Sequence, residues 1–349
     1  MNIKKIFILL LLGIGTFTVA CRSTNNVRKS PVKSETSTQE ITQTDNEASV
    51  SNWQPEKRIE FIIMAGKGGG ADKMARFMQK IIEDNNLSSQ QFVPINKPNN
   101  SGAEALQYLQ NAEDKNHTIL VTLNSFYTTP LRNPELGIDI YSFTPIARMA
   151  EDSFVLWVHK DSGINNLEEF VKAAKIAGEK WQMAGTGRGQ EDQIITNFLN
   201  SSYDLNISYL PFKGGGAVAK QLASKQVNST VNNPSEALSF YEKDIFTPLA
   251  VFTAERLARF PDTPNFQEKG QDFDYDMQRS IVGPPGMGKE AEIYYRNLFK
   301  KVYESSEWQK YMKDKSLKGN IIFGNYLKSY WKFQEEKHKQ LLKKAGEIK

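Results

Sequence analysis

From residue 58 onward the apolar positions follow two alternating rhythms. Short runs rich in β-branched and aromatic residues predict strands over 58–64, 92–95, 118–122, 144–149, 154–159, 181–184, 207–210, 249–253 and 280–282. Between them, apolar residues recur at helical spacing. Residues 72–84 carry Met74, Ala75, Phe77, Met78, Ile81 and Ile82 on that period. The same reading predicts helices over 102–112, 167–176, 192–199, 217–224, 290–302 and 326–344. Strands that alternate with helices imply an α/β fold with mainly parallel sheets.

The beginning of the chain has a different texture. Lys4 and Lys5 precede an uncharged apolar run from Ile6 to Ile14. That run is too short to span a bilayer, which takes roughly 20 apolar residues. A basic start, a short apolar run and small residues before a cut site describe a signal peptide over 1–20. The sequence Thr18-Val19-Ala20-Cys21 resembles the lipobox of bacterial lipoproteins, with Thr18 where leucine is usual. On that reading Cys21 is lipidated and becomes the new N-terminus, so the protein sits outside the cytoplasm, held to a bacterial cell membrane. The alternative is an ordinary signal peptide that leaves Cys21 an idle thiol, a liability for the sole cysteine of an exported chain. Residues 21–54 read as a lipid-anchored flexible linker, too poor in large apolar residues to offset its ordering entropy. About 30 such residues reach roughly 30 Å.

Composition narrows the function. The chain has 349 residues, enough for two ordinary domains. Its formal charge of +4 becomes +4 − 2 = +2 once Lys4 and Lys5 leave. That balance, with basic and acidic residues interspersed, does not suggest nucleic acid as a partner. His117, His159 and His338 are far apart and show no metal-ligand spacing. No metal, no cofactor and no catalytic residue is expected: the Gly-x-Ser-x-Gly nucleophile elbow is absent.

Three glycine turns carry the candidate chemistry. Met64-Ala65-Gly66-Lys67-Gly68-Gly69-Gly70-Ala71-Asp72 runs from a strand into a helix start, where free N–H groups and a positive dipole end can hold an anion. Asp72 could equally be a plain helix cap. Ala184-Gly185-Thr186-Gly187-Arg188-Gly189-Gln190 repeats the pattern, with Arg188 able to pair with a carboxylate. Pro211-Phe212-Lys213-Gly214-Gly215-Gly216 is a third turn of this kind. Two such turns aimed at one crevice from two domains would make a clamp. Gly283-Pro284-Pro285-Gly286-Met287-Gly288-Lys289 has P-loop spacing, but Glu290 follows where Ser or Thr would hold magnesium. It reads as a Pro/Gly turn.

The order of these segments, from about Ile59 to Ala345, resembles the extracytoplasmic solute receptors of the tripartite tricarboxylate transporter family. The resemblance lies in the first glycine turn, Asn96-Lys97-Pro98 with Gly102 after it, Phe143-Thr144-Pro145-Ile146-Ala147, the third glycine turn, Leu249-Ala250-Val251-Phe252-Thr253 and Pro261-Asp262-Thr263-Pro264. It implies a two-domain, periplasmic-binding-protein-like (type II) flytrap, each domain a mainly parallel sheet flanked by helices. Domain 1 would comprise 55–150 and 250–349, and domain 2 residues 151–249. The chain would cross between them near 149–154 and 247–252. It also implies a receptor, not an enzyme, that captures a small solute, a carboxylate, and delivers it to integral membrane permease subunits. A receptor-like lipoprotein serving as a sensor or adhesion protein is the alternative. The family's binding turns carry over to Gly68, Gly69, Gly70 and Ala71 and to Gly185, Thr186 and Gly187, with Asn124, Ser125, Asn232 and Asn233 on loops facing the cleft. Ala65 stands where the family has Phe, and Lys67 and Arg188 add charge that suits an anionic solute.

Overall fold

The computed structural model describes residues 51–349. The expected signal peptide, Cys21 and the linker up to residue 50 lie outside the described residues. The chain opens with β1 (Ile59–Ile63), α1 (Gly70–Asp84), β2 (Phe92–Asn96), α2 (Ala103–Gln110), β3 (Thr118–Thr122), α3 (Ser125–Arg132) and β4 (Thr144–Ser153). A second stretch follows: β5 (Val155–His159), α4 (Leu167–Ala177), β6 (Gln182–Thr186), α5 (Glu191–Tyr203), β7 (Ser208–Phe212), α6 (Gly215–Ala223), β8 (Ser229–Asn232), α7 (Pro234–Tyr241) and β9 (Phe246–Val251). The chain then returns through β10 (Asp276–Gly283), α8 (Lys289–Glu304), α9 (Ser306–Lys315), β11 (Leu317–Lys318), β12 (Ile322–Phe323) and α10 (Gly324–Lys344).

Two sheets result. The first has the order β11-β4-β10-β3-β1-β2, with β12 also on β4; the second has the order β7-β6-β8-β5-β9. Both are mixed, which corrects the expectation of mainly parallel sheets. Among the described strands, the parallel pairs are β1 with β2 and β3, and β6 with β7 and β8. The reason is the double crossing. A parallel neighbour needs a helical crossover within one sheet. β4 and β10 instead leave and re-enter the first sheet from the second, so they pair antiparallel over their whole length, as do β5 and β9.

The outward crossing takes one residue, since β4 ends at Ser153 and β5 begins at Val155. The buried Phe154 between them accepts the Phe252 N–H at 3.0 Å, and the Phe252 carbonyl accepts the Tyr275 N–H at 2.9 Å. The two connections are therefore zipped together where they pass.

β1 shows why the core sits where it does. Ile59, Phe61 and Ile63 pack with Met74 and Met78 of α1 and Phe299 of α8; Ile62 packs with Leu106 of α2, Phe126 of α3 and Trp331 of α10. A strand covered on both faces needs a continuous apolar run, and Phe61-Ile62-Ile63-Met64 supplies it. Among the described residues no helix is long and apolar enough to cross a membrane.

Candidate functional site

The first glycine turn joins β1 to α1, which starts at Gly70, two residues earlier than expected. Gly69 is the N-cap, and Asp72 reaches back so that its Oδ2 accepts the Gly68 N–H at 2.9 Å. Asp72 also accepts from Arg76 and Asn96, at 2.9 and 3.0 Å. Its carboxylate is committed to holding the turn. Gly68 has φ +81°, a left-handed conformation that favours glycine. A Cβ on Gly70 would come within 2.6 Å of the Arg279 guanidinium, so that backbone is in direct contact with a buried cation.

The second turn is built the same way. Asp192, in the first turn of α5, accepts the Thr186 N–H at 2.7 Å, and the Tyr209 hydroxyl donates to the carbonyls of Thr186 and Gly187. A Cβ on Gly185 would strike the Tyr209 ring and Asp192 at 2.5 Å. The third turn faces the first directly. A Cβ on Gly66 would lie 2.3 Å from the Lys213 carbonyl oxygen, and one on Gly216 would lie 2.9 Å from that of Gly68. Ser101 donates to the Arg188 carbonyl at 3.0 Å, and the Lys73 ammonium to that of Ser235 at 3.1 Å. The halves carrying the two sheets are closed on one another around the site.

They enclose a cavity of about 460 Å³ at the carboxyl ends of β1 and β6, where open α/β sheets place ligands. Of the expected residues, Ala65, Gly70, Ala71, Thr186, Gly187, Arg188 and Asn233 line it. Lys67 is exposed and not on its wall. Gly68 and Gly69 shape the first turn behind the wall, as Gly185 does the second. Asn124 is spent on structure: its amide donates to the Asp276 carbonyl at 2.8 Å and its Oδ1 accepts the Gln278 N–H at 3.0 Å. The Ser125 N–H, at the start of α3, donates to Glu191 at 2.9 Å. Asn232 donates to the Gly215 carbonyl at 3.2 Å and to Glu236 at 2.9 Å.

Several residues in or behind the wall escaped sequence reasoning. Arg279 and Asp152 form a buried ion pair, 2 % and 1 % exposed. Burial pushes the Asp152 carboxyl up to about 6 against the downward pull of Arg279. Asn233 donates to the Ser153 carbonyl at 2.8 Å and Ser235 to Asp152 at 3.3 Å, so residues at the start of α7 converge on the pair. Glu236 is half-buried, lines the cavity and accepts the Gly70 N–H at 2.8 Å. Burial raises the Glu191 carboxyl, and burial together with the nearby Glu236 charge raises that of Asp192. The sequence signal for Glu236 was slight: Pro234 and an acid two residues on, a helix start.

The P-loop-like segment lies elsewhere. The Gly288 N–H is taken by the Asn116 side chain at 2.8 Å, and Lys289 pairs with Glu292. Another hollow, about 830 Å³, is lined by Lys57, Glu60, Tyr108 and Asp114 of the first stretch alone, whose charged groups pair among themselves. Among the described residues no group of three metal-ligating side chains comes together.

The model of the tripartite tricarboxylate transporter family receptor matches residues 74–346. A UPF0065 protein of Bordetella pertussis is 26 % identical over 234 residues, covering 66 % of this chain and 72 % of that protein. Among solved structures, the periplasmic binding protein BugD superposes with a TM-score of 0.79 at 22 % identity, over 84 % of this chain and 99 % of BugD. A protein of R. palustris, solved with adipate, gives 0.78 at 20 % identity, over 84 % and 98 %. The fold is that of the two-domain flytrap of periplasmic binding proteins.

Proposed function

We propose that this chain, which belongs to the tripartite tricarboxylate transporter family of receptors, captures a small carboxylate in its cleft and passes it to a membrane permease. The observation that carries this reading is the convergence of three glycine turns, from both sheets, on one cavity with Arg188, Lys213 and Arg279 in its wall. Backbone N–H groups at helix starts and guanidinium groups are the donors that recognise carboxylates. The adipate held by the R. palustris neighbour supports the same solute class.

On this reading 55–150 with 250–349 forms one lobe and 151–249 the other, and the solute stabilises the closed state because only there does it touch both. Ala65, Gly70, Ala71, Thr186, Gly187, Arg188 and Asn233 contact it, and no bond of the solute is made or broken. The signal peptide and lipid at Cys21 keep the receptor outside the cytoplasm beside its permease, on the leash of 21–54.

A thermal-shift screen with dicarboxylates, tricarboxylates, acidic amino acids and neutral sugars tests this. A true solute at 100 times its Kd stabilises by about 2.7 kcal/mol, a rise of roughly 4 °C in a chain of this size. A shift with a neutral sugar and none with any carboxylate would overturn the solute class.

A further inference from the structure

The carboxylate that the first glycine turn is shaped to hold is already supplied by the chain. Glu236 Oε1 accepts the Gly70 N–H at 2.8 Å, at the first residue of α1, and Oε2 accepts from the Asn232 amide at 2.9 Å. A Cβ on Gly215, the first residue of α6, would lie 1.8 Å from Oε2. The carboxylate is therefore pressed between the starts of two helices, one from each half of the molecule. Glu236 itself sits on α7, so its bond to Gly70 crosses the cleft.

We propose that Glu236 is a built-in competitor for the solute: it occupies the cleft's anion position, latches the halves together without solute, and must be displaced by the solute's own carboxylate. This rests on the carboxylate reading above. The physics favours the internal group over a weak rival. A side chain already in the cleft acts at an effective concentration on the order of millimolar or above, and the positive end of α1 rewards whichever carboxylate is there. A small monocarboxylate gains nothing further by replacing it. A di- or tricarboxylate does, since its second carboxylate can reach Arg188 or Lys213, which also line the cavity. Glu236 thereby makes the site selective for solutes carrying more than one anionic group. It also closes the receptor when no solute is present.

The test uses acetate as the probe and compares the wild type with Glu236→Ala and Glu236→Gln. Alanine vacates the anion position; glutamine keeps it filled without the charge. Expected is a saturable rise of roughly 2–5 °C in the Tm of Glu236→Ala with millimolar acetate, against chloride at equal ionic strength. The wild type should not move, and Glu236→Gln, whose position is filled but uncharged, should respond more weakly than Glu236→Ala. Small-angle scattering without solute should show Glu236→Ala more expanded than the wild type, and acetate should restore its compactness. Equal acetate response in all three proteins, or no response and no expansion in Glu236→Ala, overturns the proposal. If Glu236→Ala does not fold, affinities of the wild type and Glu236→Gln for succinate and acetate decide it. Loss of the internal charge must raise both affinities, acetate's proportionally more, and unchanged or lower values overturn the latch. The acetate arm does not use the natural solute, so a silent solute screen beside a positive acetate arm condemns the solute reading alone.

Discussion

Removing either member of the Asp152–Arg279 pair should destabilise the protein, but with opposite pH behaviour. Both side chains are almost fully buried, and their contacts include Asn233 and Ser235 at the start of α7. Asp152→Ala strands a guanidinium that cannot lose its proton at any accessible pH. Leaving such a charge unpaired costs about 3–5 kcal/mol, and acid gives no relief. Arg279→Leu strands a carboxylate, which can escape by taking a proton. Burial already lifts Asp152 to about 6 with Arg279 beside it; without that cation its pKa rises further. A carboxyl whose folded pKa exceeds its unfolded one stabilises fully below the unfolded value, and that contribution is lost as pH rises through the folded value. Between pH 7 and pH 6, Arg279→Leu should therefore regain about 1 kcal/mol relative to the wild type, whose own Asp152 titrates over part of the same interval. The assay is urea unfolding of the three proteins at both pH values. The double variant Asp152→Leu/Arg279→Leu should lie close to the wild type, because an ion pair replaced by packed apolar groups is often neutral. A cost below about 1 kcal/mol for Asp152→Ala, or parallel pH profiles for the two single variants, would refute the reasoning.

Two further outcomes follow from buried contacts. His338 is fully buried, with Nε2 against the Tyr275 hydroxyl at 2.9 Å and Nδ1 against the Gln334 carbonyl at 2.6 Å, and burial pushes its pKa down to about 4. The unfolded chain takes up that proton near 6.5 and the native chain does not, so stability is complete above pH 6.5 and falls by roughly 3 kcal/mol as pH drops towards 4. Subtracting the urea profile of His338→Gln from that of the wild type isolates this acid loss from the opposing effect of the raised carboxyls at Glu191 and Asp192; a flat difference would contradict it. Gly66→Ala should hold the halves apart, since its Cβ would lie 2.3 Å from the Lys213 carbonyl. Overpacking of 1–3 kcal/mol in the closed state alone corresponds to roughly 5- to 150-fold weaker binding of the solute found in the screen. Unchanged affinity and unchanged scattering would show that the turns need not touch.

How much of this could be read from the chain depended on where each residue's partners lie in sequence. β1, β3 and α1 were legible because each records its surroundings locally: a continuous apolar run for a strand covered on both faces, and a helical period for a helix packed on one. β8 was not. Ser229-Thr230-Val231-Asn232 looks like a loop, yet it is central in the second sheet and fully buried. Its hydroxyls and amide are satisfied from a distance, Thr230 by the Ala184 carbonyl and Asn232 by that of Gly215. α3 was hidden by Pro130 and its threonines, and it is held by Glu191 from another element.

The glycine turns were found for the reason β1 was: a strand, a run of glycines and a helix start are contiguous, and together they specify N–H groups left open for an anion. What fills or balances those groups comes from other segments. Glu236 reaches Gly70 across 166 positions, and Arg279 reaches Asp152 across 127. In sequence Glu236 is an ordinary acid in the first turn of a helix and Arg279 one polar residue of a strand. Only the closing of two sheets on one another gives them a shared address, and with it a role. A carboxylate placed there opposes the solute through the same N–H group that attracts it. The closed state without solute and the selectivity of the cleft are then two consequences of one interaction, and the substitutions at Glu236 should move both together.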